Sequence, residues 1–203
     1  MDAAQTLSLI KARRSVRRYD GRPVPAQVIW ELLEAAHWAP SAHNRQPWRF
    51  AVLRDAQRKR ALAEAMGARF RRDLLAAGVP IEQAERQVAY SVARIADAPT
   101  AIVVFLSMAD MDQHADAELQ SLERTIAVQS VALAVQNMLL LAHAHGLGAC
   151  WMCAPLFCPD VVREALGLPA DLIPHALITL GYAAADPNRR PRRPLSELIA
   201  RWE

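Results

Sequence analysis

The pair Cys150 and Cys153 has the Cys-x-x-Cys spacing that serves dithiol redox chemistry or half of a metal site. A dithiol centre wants its first cysteine at a helix N-terminus, which favours the thiolate, whereas this pair closes Gly148 to Met152, a stretch that reads as a strand. No second Cys-x-x-Cys follows. Cys158 and His145 would complete four ligands only if Gly148 and Pro155 folded an unusually tight loop. Core packing fits the three cysteines better, and no metal site is expected. His143 and His145 would point about 200° apart on a helix and cannot share a ligand there. No His-Glu-x-x-His, Gly-x-Ser-x-Gly or glycine-rich phosphate loop occurs among only seven glycines. These absences argue against a side-chain-driven hydrolase. An enzyme built on this chain would rely on a cofactor, and no catalytic side chain is named.

Arginine is the more informative residue. Of 24 basic residues only Lys11 and Lys59 are lysine, and against 21 acids the net charge is +3. Ten bases fall in two runs near opposite ends, Lys11 to Arg22 and Arg189 to Arg193. Guanidinium offers a planar fork of donors suited to phosphate, so the two ends could converge on one phosphorylated ligand. Within Arg13-Arg14-Ser15-Val16-Arg17-Arg18, strand spacing puts Arg13, Ser15 and Arg17 on one side, a surface for a phosphate and a polyol. A solvated basic face is the plainer alternative. Nucleic acid is a weaker one, because +3 without a long basic stripe falls short of a phosphodiester track.

A second segment runs from Trp38 through Pro40, Ser41, Ala42, Asn44, Gln46 and Pro47 to Phe50. A helix-to-strand loop so rich in neutral hydrogen-bonding groups could grip a polar heteroaromatic ring by its edges, or could simply be a capping loop.

The elements that must position these segments follow from periodicity. Helices are expected over Ala3–Arg13, Pro25–Trp38, Ala56 to about Leu75, Pro80–Ala96, Glu118–His145 and Pro159–Leu166. Strands are expected over Trp48–Leu53, Ala101–Leu106, Gly148–Met152 and Ile173–Tyr182, the fully apolar Ala101–Leu106 being central. Helices separated by isolated strands imply an α+β domain around a small sheet rather than a doubly wound nucleotide fold. With 53% apolar and 22% charged residues in 203, one globular domain over 1–203 is expected. Residues 1–9 show no apolar leader, and Ile126 to Leu141 is broken by Gln129, Ser130, Gln136 and Asn137, so a cytoplasmic chain without a membrane span is expected.

Taken together, these segments resemble the nitroreductase family of flavin-dependent oxidoreductases. The family pattern RRSxR, APSxxNxQPW, GLGxCW and GYxxxxPxxxPR is met in order by Arg13–Arg17, Ala39–Trp48, Gly146–Trp151, and Gly181-Tyr182 followed by Pro187 and Arg190–Arg193. The resemblance implies a small, mainly antiparallel sheet flanked by helices, in an intertwined homodimer that binds FMN at its interface. Carried over, Arg13, Arg14 and Ser15 would hold the phosphate and ribityl chain, and Arg17 the N1 and O2 edge. Pro40, Ser41, Ala42 and Asn44 would come from the other subunit, and Arg190 and Arg192 would close on the phosphate. Met152, Cys153 and Ala154 would line the ring, with a backbone N–H, that of Cys153, facing N5. The sequence departs from the pattern at Ala42, where a second serine is common, and at Cys153, where an acid or glycine is common, so backbone rather than side-chain contacts are expected there.

The activity so implied is ping-pong hydride transfer from NAD(P)H through FMN to a small planar acceptor such as a nitroaromatic or quinone. A narrower resemblance, to the flavin domain of deazaflavin-coenzyme biosynthesis enzymes, would make the acceptor a deazaflavin precursor. A non-catalytic flavin or nucleotide sensor and a nucleic-acid module are the rival classes. The long apolar helix fits a dimer core.

Overall fold

The computed structural model describes residues 2–187 and 191–203. Among these residues six helices and four strands follow one another as α1 (Ala3–Ala12), α2 (Ala26–His37), β1 (Trp48–Leu53), α3 (Ala56–Ala76), α4 (Ile81–Ala96), β2 (Thr100–Ser107), α5 (Ala117–Ala144), β3 (Gly148–Met152), α6 (Pro159–Leu166) and β4 (Leu172–Gly181). Short 3-10 turns lie at Ala42–Asn44, Ala154–Phe157 and Leu195–Glu197. Each expected element forms, with no end displaced by more than one residue. Where a cap is visible it explains the boundary: Asp55 and Asp116 accept from the amides of Arg58 and Leu119, starting α3 and α5. α5 ends at Ala144 with Gly146 in the left-handed region, as its glycine stop implies.

The sheet is antiparallel throughout, in the order β1-β2-β4-β3. Every residue of β2 is buried, as its unbroken apolar run Ala101–Leu106 requires, because helices cover both faces. Ile102, Val104 and Leu106 pack with Leu32 and Ala36 of α2 and Val131, Val135 and Met138 of α5. Ala101, Val103 and Phe105 face Leu62 and Met66 of α3, Ile95 of α4 and Val162 of α6. The fold is thus the α+β arrangement expected, a small antiparallel sheet between two helical layers.

α5 is long and apolar enough to cross a membrane by composition, yet Ala127, Val131, Ala134, Val135 and Met138 press into the core. Its other side leaves Leu119, Leu122 and Leu133 exposed. α1 buries none of its residues, and the C-terminal arm, residues 191–203, is exposed along its whole length.

Candidate functional site

Past the end of α1 the chain becomes extended and runs along the outer edge of β3. Val16 N–H donates to the Ala149 carbonyl at 3.0 Å, and Ser15 forms a parallel bridge with Ala149. Tyr19 anchors the far end, its hydroxyl lying 2.8 Å from both the Val16 carbonyl and Thr179 Oγ1. Burial pushes that phenol up, so it stays neutral. Together these contacts fix the Arg13–Arg17 segment beside the sheet.

Arg13 is half-buried and close enough to Arg192, Arg14 and Cys150 to interact electrostatically. Burial, then the charges of Arg192 and Arg14, pull its guanidinium below the ordinary value. It stays cationic all the same. The two arginine-rich ends therefore approach one another, as their composition implied, through Arg13 and Arg192. Arg190 lies outside the described residues. Arg14 has a local task that strand spacing did not indicate: its Nη1 donates to the carbonyls of Lys11 and Arg13 at 2.5 and 2.7 Å, covering the negative end of α1. Arg17 is exposed, with Nη1 3.4 Å from the Ser15 carbonyl. Among the described residues none of Arg13, Arg14, Arg17 and Arg192 is paired with a carboxylate, whereas Arg45, Arg49 and Arg69 are. A cluster of guanidinium groups held together without counter-charge is a site for an anion.

Arg94 belongs to the same neighbourhood and was missed from sequence, where it is one basic residue on an amphipathic helix. It reaches from α4 to Cys150, Nη2 to Sγ 3.6 Å, with its guanidinium 5.5 Å from the Tyr90 ring centroid. Its Nε is buried with no hydrogen-bond partner. An orphaned buried donor on a charged group is costly. The available signal was an arginine in the last turn of the helix, adjoining the apolar Ile95 and Ala96.

Strand β3 delivers Met152 buried, Cys153 exposed and Ala154 half-buried, with Cys153 opening the 3-10 turn. Cys150 and Cys158 are packed in the core between the sheet and α3, α4 and α6, as expected for structural cysteines, whereas Cys153 departs from that expectation because it lies past the end of the strand, outside the sheet's cover. Burial pushes the Cys158 thiol up to about 11, so at neutral pH it is unreactive.

The loop from Pro40 to Asn44 is built differently. His43, Asn44 and Gln46 all have positive φ, at 48°, 55° and 51°. Such backbone is uncommon outside glycine and persists where surrounding contacts over-determine it. Ser41 Oγ accepts from Gln46 N–H at 3.0 Å, and Ser130 Oγ of α5 accepts from Ala42 N–H at 3.3 Å. Pro40, Ser41 and Ala42 line a small cavity of about 220 Å³ with Ile126, Gln129 and Leu133. A larger groove of about 880 Å³ is walled by Trp30, His37, Trp48 and Phe50, with Arg45 and Gln46 at its rim.

One chain does not bring the loop to the arginines. Ala42 meets α5 at Ser130, whereas Arg13 and Arg14 act on His143, whose pKa is lowered by burial and by these two charges. Thirteen residues of helix separate the two points, about 20 Å at 1.5 Å per residue.

The family model described as the Nitroreductase family matches residues 10–182. An NADH dehydrogenase of Thermus thermophilus is 34% identical over 212 aligned residues, covering 92% of this chain and 91% of its own. A crystal structure of a putative nitroreductase from Desulfovibrio desulfuricans in complex with FMN aligns with a TM-score of 0.75 and 32% identity, over 98% of this chain and 96% of that one. The FMN-dependent nitroreductase NfnB of Mycobacterium smegmatis, solved with NADPH, aligns over 100% of both chains at a TM-score of 0.75 and 26% identity.

Proposed function

The chain belongs to the nitroreductase family, and from that premise we propose that it is an FMN-dependent NAD(P)H oxidoreductase that reduces a small planar acceptor such as a nitroaromatic or quinone. The observation that carries this reading is the group of arginines, Arg13, Arg14, Arg17 and Arg192, gathered at the edge of β3 without a carboxylate among the described residues. The residues fit the cofactor: guanidinium groups without a carboxylate partner suit a phosphate dianion. Solved relatives bound to FMN and to NADPH support the same assignment.

When bound, FMN supplies hydride chemistry, taking two electrons from a reduced nicotinamide and passing them to the acceptor in ping-pong fashion. The chain supplies position and electrostatics. Arg13 and Arg192, with Arg190 and Arg94, would hold the phosphate, and Arg14 and Ser15 its polyol neighbour. Arg17 would face the ring edge where negative charge develops, a fixed cation aimed at that charge. Met152, Cys153 and Ala154 would form the wall at the end of β3. No side chain is assigned as acid or base, and solvent can deliver the protons.

The remaining contacts, from Pro40, Ser41, Ala42 and Asn44, would come from a second copy. Two features support a homodimer. The loop and the arginines meet α5 about 20 Å apart in one chain. The arm carrying Leu195, Leu198 and Trp202 leaves these side chains largely exposed, Trp202 by 85%, while α1, the outer side of α5 and the groove beside β1 leave apolar surface open. On this reading residues 1–203 form one flavin domain, working in the cytoplasm.

The test is direct. The purified protein should show flavin absorbance, elute at the mass of two chains and oxidise NADH or NADPH when menadione or nitrofurazone is supplied. Absence of flavin bands even after FMN is added overturns the proposal.

A further inference from the structure

Helix α5 holds the Pro40–Asn44 loop at two points. The first is direct, from Ser130 to the Ala42 amide. The second is indirect and begins at Glu123, a carboxylate only 6% exposed, whose Oε1 accepts from Asp112 N–H at 3.2 Å and whose Oε2 lies 3.7 Å from His114 Nε2. Asp112 in turn meets Arg45, Oδ1 to Nη2 2.5 Å, and Arg45 N–H donates to the Ala42 carbonyl. Beside it Asp110 pairs with Arg49 at 2.9 Å, while the other Arg49 nitrogen donates to the carbonyls of Gln46 and Trp48. Glu123 and Ser130 are seven residues apart, two turns along one face of the helix. The helix thus grips the loop from two turns on the same side.

From this arrangement we propose that Asp112, seated by Glu123, is a positioning residue. Its ion pair with Arg45, seconded by Asp110 and Arg49, anchors the one right-handed residue among the left-handed His43, Asn44 and Gln46, and so sets how tightly the loop grips the flavin. The flavin consequence rests on the function proposed above; the control of the loop does not. A lone exposed ion pair contributes little, and both pairs here are partly exposed. Their effect is larger on this loop for two reasons. They act together on one short segment, and that segment occupies a conformation its residues rarely adopt unaided. The contribution falls on local opening of the loop rather than on global unfolding, because the pairs lie outside both cores.

The experiment compares the full-length wild type, Asp112→Asn, Arg45→Asp and the exchanged pair Arg45→Asp/Asp112→Arg. Amide hydrogen exchange of residues 41–46 is measured in flavin-free protein, and FMN affinity by quenching of flavin fluorescence. The expected result is faster exchange in Asp112→Asn and roughly three- to tenfold weaker FMN binding, with an unchanged Tm and recovery of both in the exchanged pair. Exchange rates like those of the wild type in Asp112→Asn, or an exchanged pair no better than the single variants, would overturn the positioning role. If the wild type binds no FMN, the flavin reading fails, and loop exchange still decides whether Asp112 governs the loop.

Discussion

Gly148 and Val16 are in contact that only a glycine permits: a Cβ built on Gly148 would stand 2.5 Å from Val16 Cβ and 2.6 Å from its Cγ1. Val16 is buried and bonded to the next residue of β3, Ala149, so it has little room to retreat. This close approach lays the Arg13–Arg17 segment against the strand that leads to Cys153.

Gly148→Ala should therefore act on both stability and cofactor. Overpacking at a buried contact costs about 1–3 kcal/mol. Thermal unfolding of the variant should shift down by several degrees, and titration with FMN should show weaker binding as the arginine segment is pushed off the strand. Wild-type values for both would show that the segment is free to move.

Removal of the clustered arginines separates binding from stability. Arg13→Ala and Arg192→Ala should each weaken FMN binding by about 1.5–3 kcal/mol, the range for hydrogen bonds to charged groups. Arg94→Ala should change affinity in the same direction. Without the cofactor, loss of Arg192 relieves its repulsion of Arg13 and should leave the apoprotein no less stable. Isothermal titration and apoprotein melting read the two effects. Unchanged affinity in both Arg13→Ala and Arg192→Ala would show the phosphate site lies elsewhere.

Acid should weaken the apoprotein through two histidines. Burial lowers the pKa of His175, assisted by Arg124, and burial with Arg13 and Arg14 lowers that of His143. Both folded values lie under the ordinary value near 6.5. As pH falls through that value the unfolded chain takes up protons before the folded one, so stability declines until the lower folded values are passed. Denaturant midpoints measured from pH 7.5 down to 5.5 should fall, less steeply in His175→Gln. A flat profile across that window would contradict the burial of these rings.

Much of this protein was readable from sequence because the relevant forces are short-range. The apolar run in β2, the helical spacing of α2 and α5 and the stop at Gly146 each act within a few residues, so the elements and the central place of β2 follow from them. The order of the arginine-rich ends and the polar loop was legible for the same reason, since each is one contiguous segment. Their partners were not. Arg94 meets Cys150 across 56 positions, Arg45 meets Asp112 across 67 and Ala42 meets Ser130 across 88. None of these pairs leaves a periodic trace, because only the closing of two helical layers on the sheet brings them together. Arg14 shows a further case: the spacing gave no sign that its Nη1 would also donate to the carbonyls at the end of α1. Sequence by itself determined which residues are apolar, which carry charge and where each element begins. Tertiary structure alone decided which charges stay unpaired and which backbone is held in a costly shape, because both depend on what packing places within a few ångströms.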